Sequence, residues 1–481
     1  MIRMWILMVT VLTATTTAVA DVQEWFQITL NSTPAGWQHV VESASGDLRT
    51  HANVEEMRLA RAGTEVKIRS STVWVDRANG TPVSMTWKQE LGGQPVETTW
   101  TFETDSVNVR VQQGTRTSVS QQPAPEGIWL TPLAARDFLK QRSEAGANEI
   151  VYRTIMPDLG LLPVMQTWKR VGPSVLNILG RPRPVTEWSV TTAGLPVEMS
   201  VWISKDWRNV RTTMKAAFGN ICSTMTDQTT AQSLHAGPVP ELFVSLFVQP
   251  TGTIKDLAKA DRAQMKLTTV DGEALRLPSA GGQSVVNEAD GQLTIEVAAE
   301  GSSEATPAEL EDPSYRAASG MINSDDEAIQ KLRDVALKPM SADATDALKA
   351  ETLRRYVTSY ITSKGLSTAF ATASDAARTR AGDCSEHGVL LAAMLRSAGI
   401  PSRVASGLVY MDQINAFGWH MWTQGLIDGR WVDLDATMPR AFSPGHVLVA
   451  TSAMSDGDGQ RELVGLIGLL GNLNIEIVQV D

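Results

Sequence analysis

The stretch Arg380-Ala-Gly-Asp-Cys-Ser-Glu-His-Gly-Val-Leu-Leu-Ala-Ala-Met-Leu-Arg-Ser-Ala-Gly-Ile-Pro401 constrains this chain more than any other. It holds Cys384, one of two cysteines in 481 residues. After the cysteine, Val389, Leu390, Ala393 and Leu395 form an apolar helical pattern, and Gly399 with Pro401 supplies a stop. The spacing predicts a helix with Cys384 at or near its first turn. Unpaired N–H groups and the positive end of the helix dipole favour negative charge there. A thiolate so placed has its pKa lowered and becomes a usable nucleophile.

A thiol nucleophile needs a base, and the base needs a third group to orient it. The chain has six histidines: His39, His51, His235, His387, His420 and His446. His420 lies in the strand pattern Phe417-Gly-Trp-His-Met-Trp-Thr423, and Asp428-Gly429 follows where a two-residue hairpin turn fits. With those two residues as the turn, 427 pairs with 430, His420 faces Thr437 and Trp422 faces Asp435. Asp435 then shares a face with His420 as a diagonal neighbour, roughly 7–8 Å away at the backbone. Asp433 shares the face but lies about 13 Å off by strand rise. The register therefore prefers Asp435, and a wider loop would change that. His387, three residues along the helix from Cys384, is a rival base with no carboxylate placed to orient it. A zinc site from Cys384, His387 and His420 lacks an evident fourth ligand. Asp383 and Glu386 read as holders of the helix start, and Trp422 as packing beneath the site.

Four motifs in this order carry a resemblance: Gly382-Asp-Cys-Ser-Glu-His387, Leu395-Arg-Ser-Ala-Gly-Ile-Pro-Ser-Arg403, His420-Met-Trp422 and Trp431-Val-Asp-Leu-Asp-Ala-Thr437. Together they resemble the core of the transglutaminase-like superfamily, over about Ala342 to Ala450. Met421 stands where a small residue is common, and Ala436 where proline usually follows the aspartate. The resemblance implies a papain-like triad, with Cys384 as nucleophile, His420 as base and acid, and Asp435 as the orienting residue. It implies attack on an amide or ester carbonyl and a thioester, resolved by water in a hydrolase or by an amine in a transglutaminase. It favours a peptidase or amidase acting on peptides or proteins, and calls for no cofactor. The competing class is a non-catalytic binding or scaffold protein of the cell envelope that keeps the fold as a structural module.

The rest of the chain frames that core. Its length predicts two or three domains. Hydrophobic content of 43% supplies ample core, and a net charge of −11 argues against nucleic acid or an anionic membrane surface as partner. Arg3, the apolar run Trp5 to Leu12 and Ala18-Val19-Ala20 read as a signal peptide over residues 1–20, too short to span a bilayer. That predicts a periplasmic or secreted protein without a membrane span after cleavage, with a cell-envelope or cell-wall partner in reach. Export permits a disulfide between Cys222 and Cys384, which would abolish the nucleophile.

The fold class read here is α+β. Residues 21–232 form a β-rich domain, with short β-branched and tryptophan-rich runs separated by Asn79-Gly80, Gly92-Gly93 and Thr104-Asp105. They predict a meander or curved antiparallel sheet, interrupted by one helix over Thr131 to Ser143. The many tryptophans read as sheet packing before a sugar-binding face. Residues 233–312 form a β-like middle region with a helix over Thr253 to Asp261, ending in a polar linker over Glu300 to Glu309. Residues 313–481 form the catalytic-type domain, with helices starting from a capping box at Ser324, over Ala342 to Ser363, and from Ser374, then strands. Glu462 to Val480 is a helix or strand that packs back on the core.

Overall fold

The structure, a computed structural model, describes residues 22–481 except 62, 92, 196, 217–218, 234–238, 242–245, 253–255, 290, 366–369 and 458–465. The signal peptide expected over residues 1–20 lies outside them. Among the described residues no helix is long and apolar enough to cross a membrane.

The chain is mixed α+β. Its first part is one antiparallel sheet of fourteen strands. The eight strands from Val22–Leu30 to Arg116–Pro123 pair in sequence order, as do the six from Glu149–Ile155 to Gly219–Thr226. Val22–Leu30 bonds to Gly219–Thr226 and joins the two meanders. Helix Pro132–Glu144 connects them, capped by Thr131 with proline in its first turn. Residues alternate between faces: in Ser106–Gln113, Val107, Val109 and Val111 are buried and their neighbours exposed. Trp74, Trp100 and Trp188 are buried in this sheet's core clusters, which is the packing role read from the sequence.

Two five-stranded sheets follow. One holds Thr251–Gly252, Arg262–Thr269, Gln283–Ala289, Gln292–Ala298 and the tail strand Leu473–Val480. The other runs Ser302–Glu304, Arg430–Leu434, Ala416–Ile427, Ser402–Met411, His446–Ser452. The residues read as a middle region and linker do not stand apart. Arg262–Thr269 pairs with the tail strand, and Ser302–Glu304 forms the edge of the sheet that carries His420. The polar side chains of that expected linker meet partners: Arg430 donates to the Ser302 hydroxyl at 2.8 Å, and Glu309 pairs with buried Arg403 at 2.6 Å. Of the helix expected over Thr253 to Asp261, 253–255 lie outside the described residues and 256–259 form a turn.

Three helices, Glu327–Leu337, Asp346–Tyr360 and Ala373–Thr379, pack on the cysteine helix Cys384–Ser397. Their caps are Asp326, Thr345 and Thr372, not Ser324 or Ser374, because those side chains reach back to a first-turn N–H. The cysteine helix is buried from Ser385 to Arg396, with helices on one side and the His420 sheet on the other. This explains why it is apolar nearly all round. The large sheet docks on this assembly through polar contacts. Gln113 bonds Thr372 at 2.8 Å and Asn323 at 2.6 Å, and Ser118 bonds Asp456 at 2.6 Å.

Arg396 closes the cysteine helix from inside. Its guanidinium donates to the carbonyls of Ala317 (2.7 Å), Ser402 (2.9 Å) and Ala453 (2.8 Å), and burial lowers its pKa to about 10. Replacing it by methionine (Arg396→Met) keeps the apolar stem and leaves three buried acceptors without donors. At roughly 1–3 kcal/mol for an orphaned buried group, we expect a loss of about 3 kcal/mol, read as a lower urea midpoint with unchanged far-UV circular dichroism.

Candidate active site

Cys384 is the first residue of its helix, and Asp383 is the cap. Asp383 Oδ1 accepts from the Ser385 N–H at 3.0 Å and its hydroxyl at 2.7 Å. Glu386 answers by accepting the Asp383 N–H at 2.8 Å, which completes a capping box. Its other oxygen accepts the Ala371 N–H at 2.8 Å. Burial first, and the Asp383 charge second, push the Glu386 carboxyl up to about 7. A Cβ at Gly382 would fall 2.3 Å from the Glu386 Cβ, so the chain before the cysteine needs glycine there. From the fourteen-stranded sheet, Arg61 reaches in and pairs with Asp383 Oδ2 at 2.8 Å.

His420 arrives on the neighbouring sheet. Asp428 and Gly429 both have positive φ, 50° and 76°, as a type I′ turn requires. The ladder runs from Ile427↔Arg430 to Thr423↔Leu434, the register read from the sequence, and Asp435 lies one residue beyond it. His420 Nε2 donates to Asp435 Oδ2 at 2.8 Å. The Cys384 sulfur also acts on the ring and favours its charged form. With Nε2 on the carboxylate, the nitrogen left for the sulfur is Nδ1. Burial alone would lower the His420 pKa. The Asp435 charge and hydrogen bond, with the Cys384 sulfur, outweigh it and push it up to about 10.

Asp435 is fully buried and takes four donors. Besides His420, its Oδ2 accepts from His446 Nε2 at 3.1 Å, and its Oδ1 accepts the Thr437 N–H at 2.7 Å and hydroxyl at 2.6 Å. Burial opposes its charge, but His420 and the two histidine bonds hold its pKa well below the usual 3.8. His446 is itself anchored, its Nδ1 lying 2.9 Å from the Ser443 carbonyl and its ring stacked on Phe442 at 4.3 Å. Both its nitrogens thus face acceptors. Arg354, buried in its helix, donates to the Asp435 carbonyl at 3.1 Å and the Met438 carbonyl at 2.9 Å.

The other residues singled out from the sequence fall elsewhere. Asp433 accepts from Trp422 Nε1 (2.7 Å), Gln424 Nε2 (2.8 Å) and the Gly282 N–H (2.6 Å), and makes no bond to His420. Trp422 stacks against the His420 ring at 6.1 Å, held there by Asp433. His387 donates from Nδ1 to the Asp383 carbonyl at 2.6 Å, burial lowers its pKa, and its Nε2 meets no partner among the described residues. Cys222 and Cys384 are both free thiols. Among the described residues, Cys384, His387 and His420 do not form a ligand cluster. The group that does cluster is His420, Asp435 and His446, with ligating atoms within 4.8 Å of one another. Those atoms are already joined by the hydrogen bonds above.

Sequence reasoning missed His446, Thr437, Arg354 and Arg61. Thr437 had a signal, since Asp-x-Thr favours a side-chain turn onto the N–H two residues on. The others come from distant segments with no spacing to connect them.

Residues 333–436 match the transglutaminase-like superfamily. That span includes Cys384, His420 and Asp435 and ends before His446. No curated protein matches. Among solved structures, the chain is similar to a beta-barrel-like protein of a domain of unknown function from Brucella abortus, at 11% identity and TM-score 0.35, over 43% of this chain and 95% of that one. It is also similar to a "Putative Cysteine Protease" from Cytophaga hutchinsonii, at 17% identity and TM-score 0.30, over 49% and 84%. A third is a "Putative Protease" from Parabacteroides distasonis, at 12% identity and TM-score 0.18, over 76% and 68%.

The His420–Asp435 pair sets a pH dependence. His420 is raised from 6.5 to about 10, so its stabilisation is fully present below 6.5 and is lost as pH rises through about 10. Asp435 is depressed below 3.8, so its share is present above that value and lost on acidification. Urea midpoints of the wild type are expected to fall between pH 6.5 and 10. Asp435→Asn removes the charge that raises His420, so its midpoints should fall less over the same range. Parallel declines in the two proteins would show that the pair is not coupled.

Proposed function

We propose, starting from the transglutaminase-like superfamily domain at residues 333–436, that this chain is a cysteine enzyme acting on amide bonds of peptides or proteins. One observation carries the reading: His420, whose pKa the Cys384 sulfur at a helix start helps to raise, is hydrogen-bonded to the buried Asp435 carboxylate.

In this reading Asp435 accepts the Nε2 proton of His420 and stabilises the imidazolium, so Nδ1 holds the proton taken from the thiol in a resting ion pair. The Cys384 thiolate attacks the carbonyl carbon, and the charge moves to the carbonyl oxygen. The Cys384 N–H at the helix start is placed to stabilise that oxyanion. As the intermediate collapses, the C–N bond breaks and His420 returns its proton to the leaving amine. A thioester remains. Water then attacks it with His420 as base, releasing the acid and restoring the thiol. Water is the acceptor in any aqueous compartment, whereas amine transfer needs an amine held at the site. Hydrolysis is therefore the outcome we propose. The amino-terminal sequence supports an exported enzyme, periplasmic or secreted, with substrates in the cell envelope.

His446 is proposed as a positioning residue. It donates to the same Asp435 oxygen as His420 and makes no bond to the thiol. His446→Phe removes one hydrogen bond to a charged group, worth roughly 1.5–3 kcal/mol. We expect kcat to fall about tenfold or more with KM little changed, and the acid limb of the pH–rate profile to move. A loss confined to stability, with kcat and profile intact, would reduce His446 to a packing residue.

The nucleophile is tested directly. Purified wild type and Cys384→Ala are compared on a peptide library, with and without a primary amine. Hydrolysis is expected from the wild type alone, without amine incorporation. Undiminished cleavage by Cys384→Ala would sink the enzyme reading, and amine-dependent product would replace hydrolysis with transfer.

A further inference from the structure

A cavity of about 430 Å³ lies inside the fourteen-stranded sheet, under helix Pro132–Glu144. Thr72 and Gln166 both line it, although their strands stand eight places apart in the sheet. In a flat sheet, at about 4.8 Å per strand, they would be roughly 38 Å apart. The sheet therefore curls around the cavity. The volume matches that of about fourteen waters at ~30 Å³ each, and falls within the ~300–1,000 Å³ of small-molecule sites.

Its lining divides into two parts. Phe26, Trp74, Leu139, Trp168, Ile203 and Trp207 supply apolar surface. The polar part centres on Glu42, 9% exposed. Its oxygens receive Arg136 Nη1 at 2.6 and 2.7 Å, Arg208 Nη1 at 2.5 Å and His51 Nδ1 at 3.3 Å. Both oxygens are taken. Nε and Nη2 of Arg136 and Nη2 of Arg208 are left without an acceptor among the described residues. A guanidinium only donates, so these N–H groups are free to meet an acceptor that enters the cavity. Glu24 does not supply it, since its oxygen is 4.0 Å from Arg208 Nε, and burial raises its pKa against the pull of Arg208.

The cavity is separate from Cys384. His51 and Arg61 lie on the same strand, Leu48–Arg61, with His51 at the cavity and Arg61 on Asp383. Ten residues of strand at about 3.3 Å each put some 33 Å between them.

We propose that this cavity binds a single-chain amphipathic anion, its head on Arg136 and Arg208 and its chain among the tryptophans. The apolar side chains line the path of the chain, and the two guanidinium groups already held by Glu42 are in place to receive the head.

The test uses the full chain and sodium dodecanoate below its micellar range, followed by calorimetry and tryptophan fluorescence. Saturable binding at one site per chain is expected, at least tenfold tighter than dodecylammonium. Arg136→Gln and Arg208→Gln should each weaken dodecanoate at least tenfold. Because either change could disturb the Glu42 cluster, Ala135→Phe is measured too: it fills the cavity from the helix, leaves the charges in place and should abolish binding. Circular dichroism and melting confirm that each variant is folded. Absent or non-saturable binding, equal affinity for the ammonium probe, or unchanged binding by Ala135→Phe would each overturn the proposal.

Discussion

The Asp435 carboxylate is the constraint on which the site depends. A buried carboxylate is costly unless its lone pairs are filled. Here each oxygen takes two donors, from His420 and His446 on one side and from Thr437 on the other. These partners come from three consecutive pieces of chain: the strand Ala416–Ile427, the turn after Arg430–Leu434, and the start of His446–Ser452. Satisfying one charge therefore fixes the relation of three segments. Arg354 adds a fourth by holding the Asp435 carbonyl from a helix on the other side. The cost of leaving any of these groups unpaired keeps the His420 ring in one orientation.

That local arrangement is set against the cysteine helix chiefly by apolar packing. The helix is buried on all sides, so its axis is determined by the three helices and the sheet around it. Only its first turn is free to present chemistry, and the capping box ties that turn to the Ala371 loop. Thr423 on the histidine strand donates to the Gly388 carbonyl at 2.9 Å, a bond that keys the sheet to the helix one turn below the thiol.

What could be read from the sequence was local. The Asp428-Gly429 turn needs positive φ at two successive positions, which few residue pairs accept, so it fixed the register of the hairpin and separated Asp435 from Asp433. The helix stop at Gly399-Ile-Pro401 was equally plain. His446 was not legible, because its strand joins Ser402–Met411 through a bulge between Ser406 and Gly407, and no turn chemistry sets that pairing. Nor was the return of Leu473–Val480 onto Arg262–Thr269, about two hundred residues apart, since alternation marks a strand and not its partner. The helix caps were misplaced by two residues, a choice among adjacent Ser, Thr and Asp that depends on which oxygen meets the first free N–H.

The charges around the helix start complete the picture. Asp383 and Glu386 both flank Cys384, and two carboxylates there would oppose a thiolate that the helix dipole favours. The fold relieves that opposition in two ways. Arg61, from the large sheet, offsets Asp383 at 2.8 Å, and burial disfavours the charge on Glu386, whose carboxyl is pushed up to about 7. The capping hydrogen bonds persist while much of their negative charge is removed. The amino-terminal sheet is thus more than a neighbour of the cysteine helix. Through one guanidinium it pairs with a carboxylate beside the thiol, and Arg61 ends a strand whose other end lines the cavity beneath helix Pro132–Glu144.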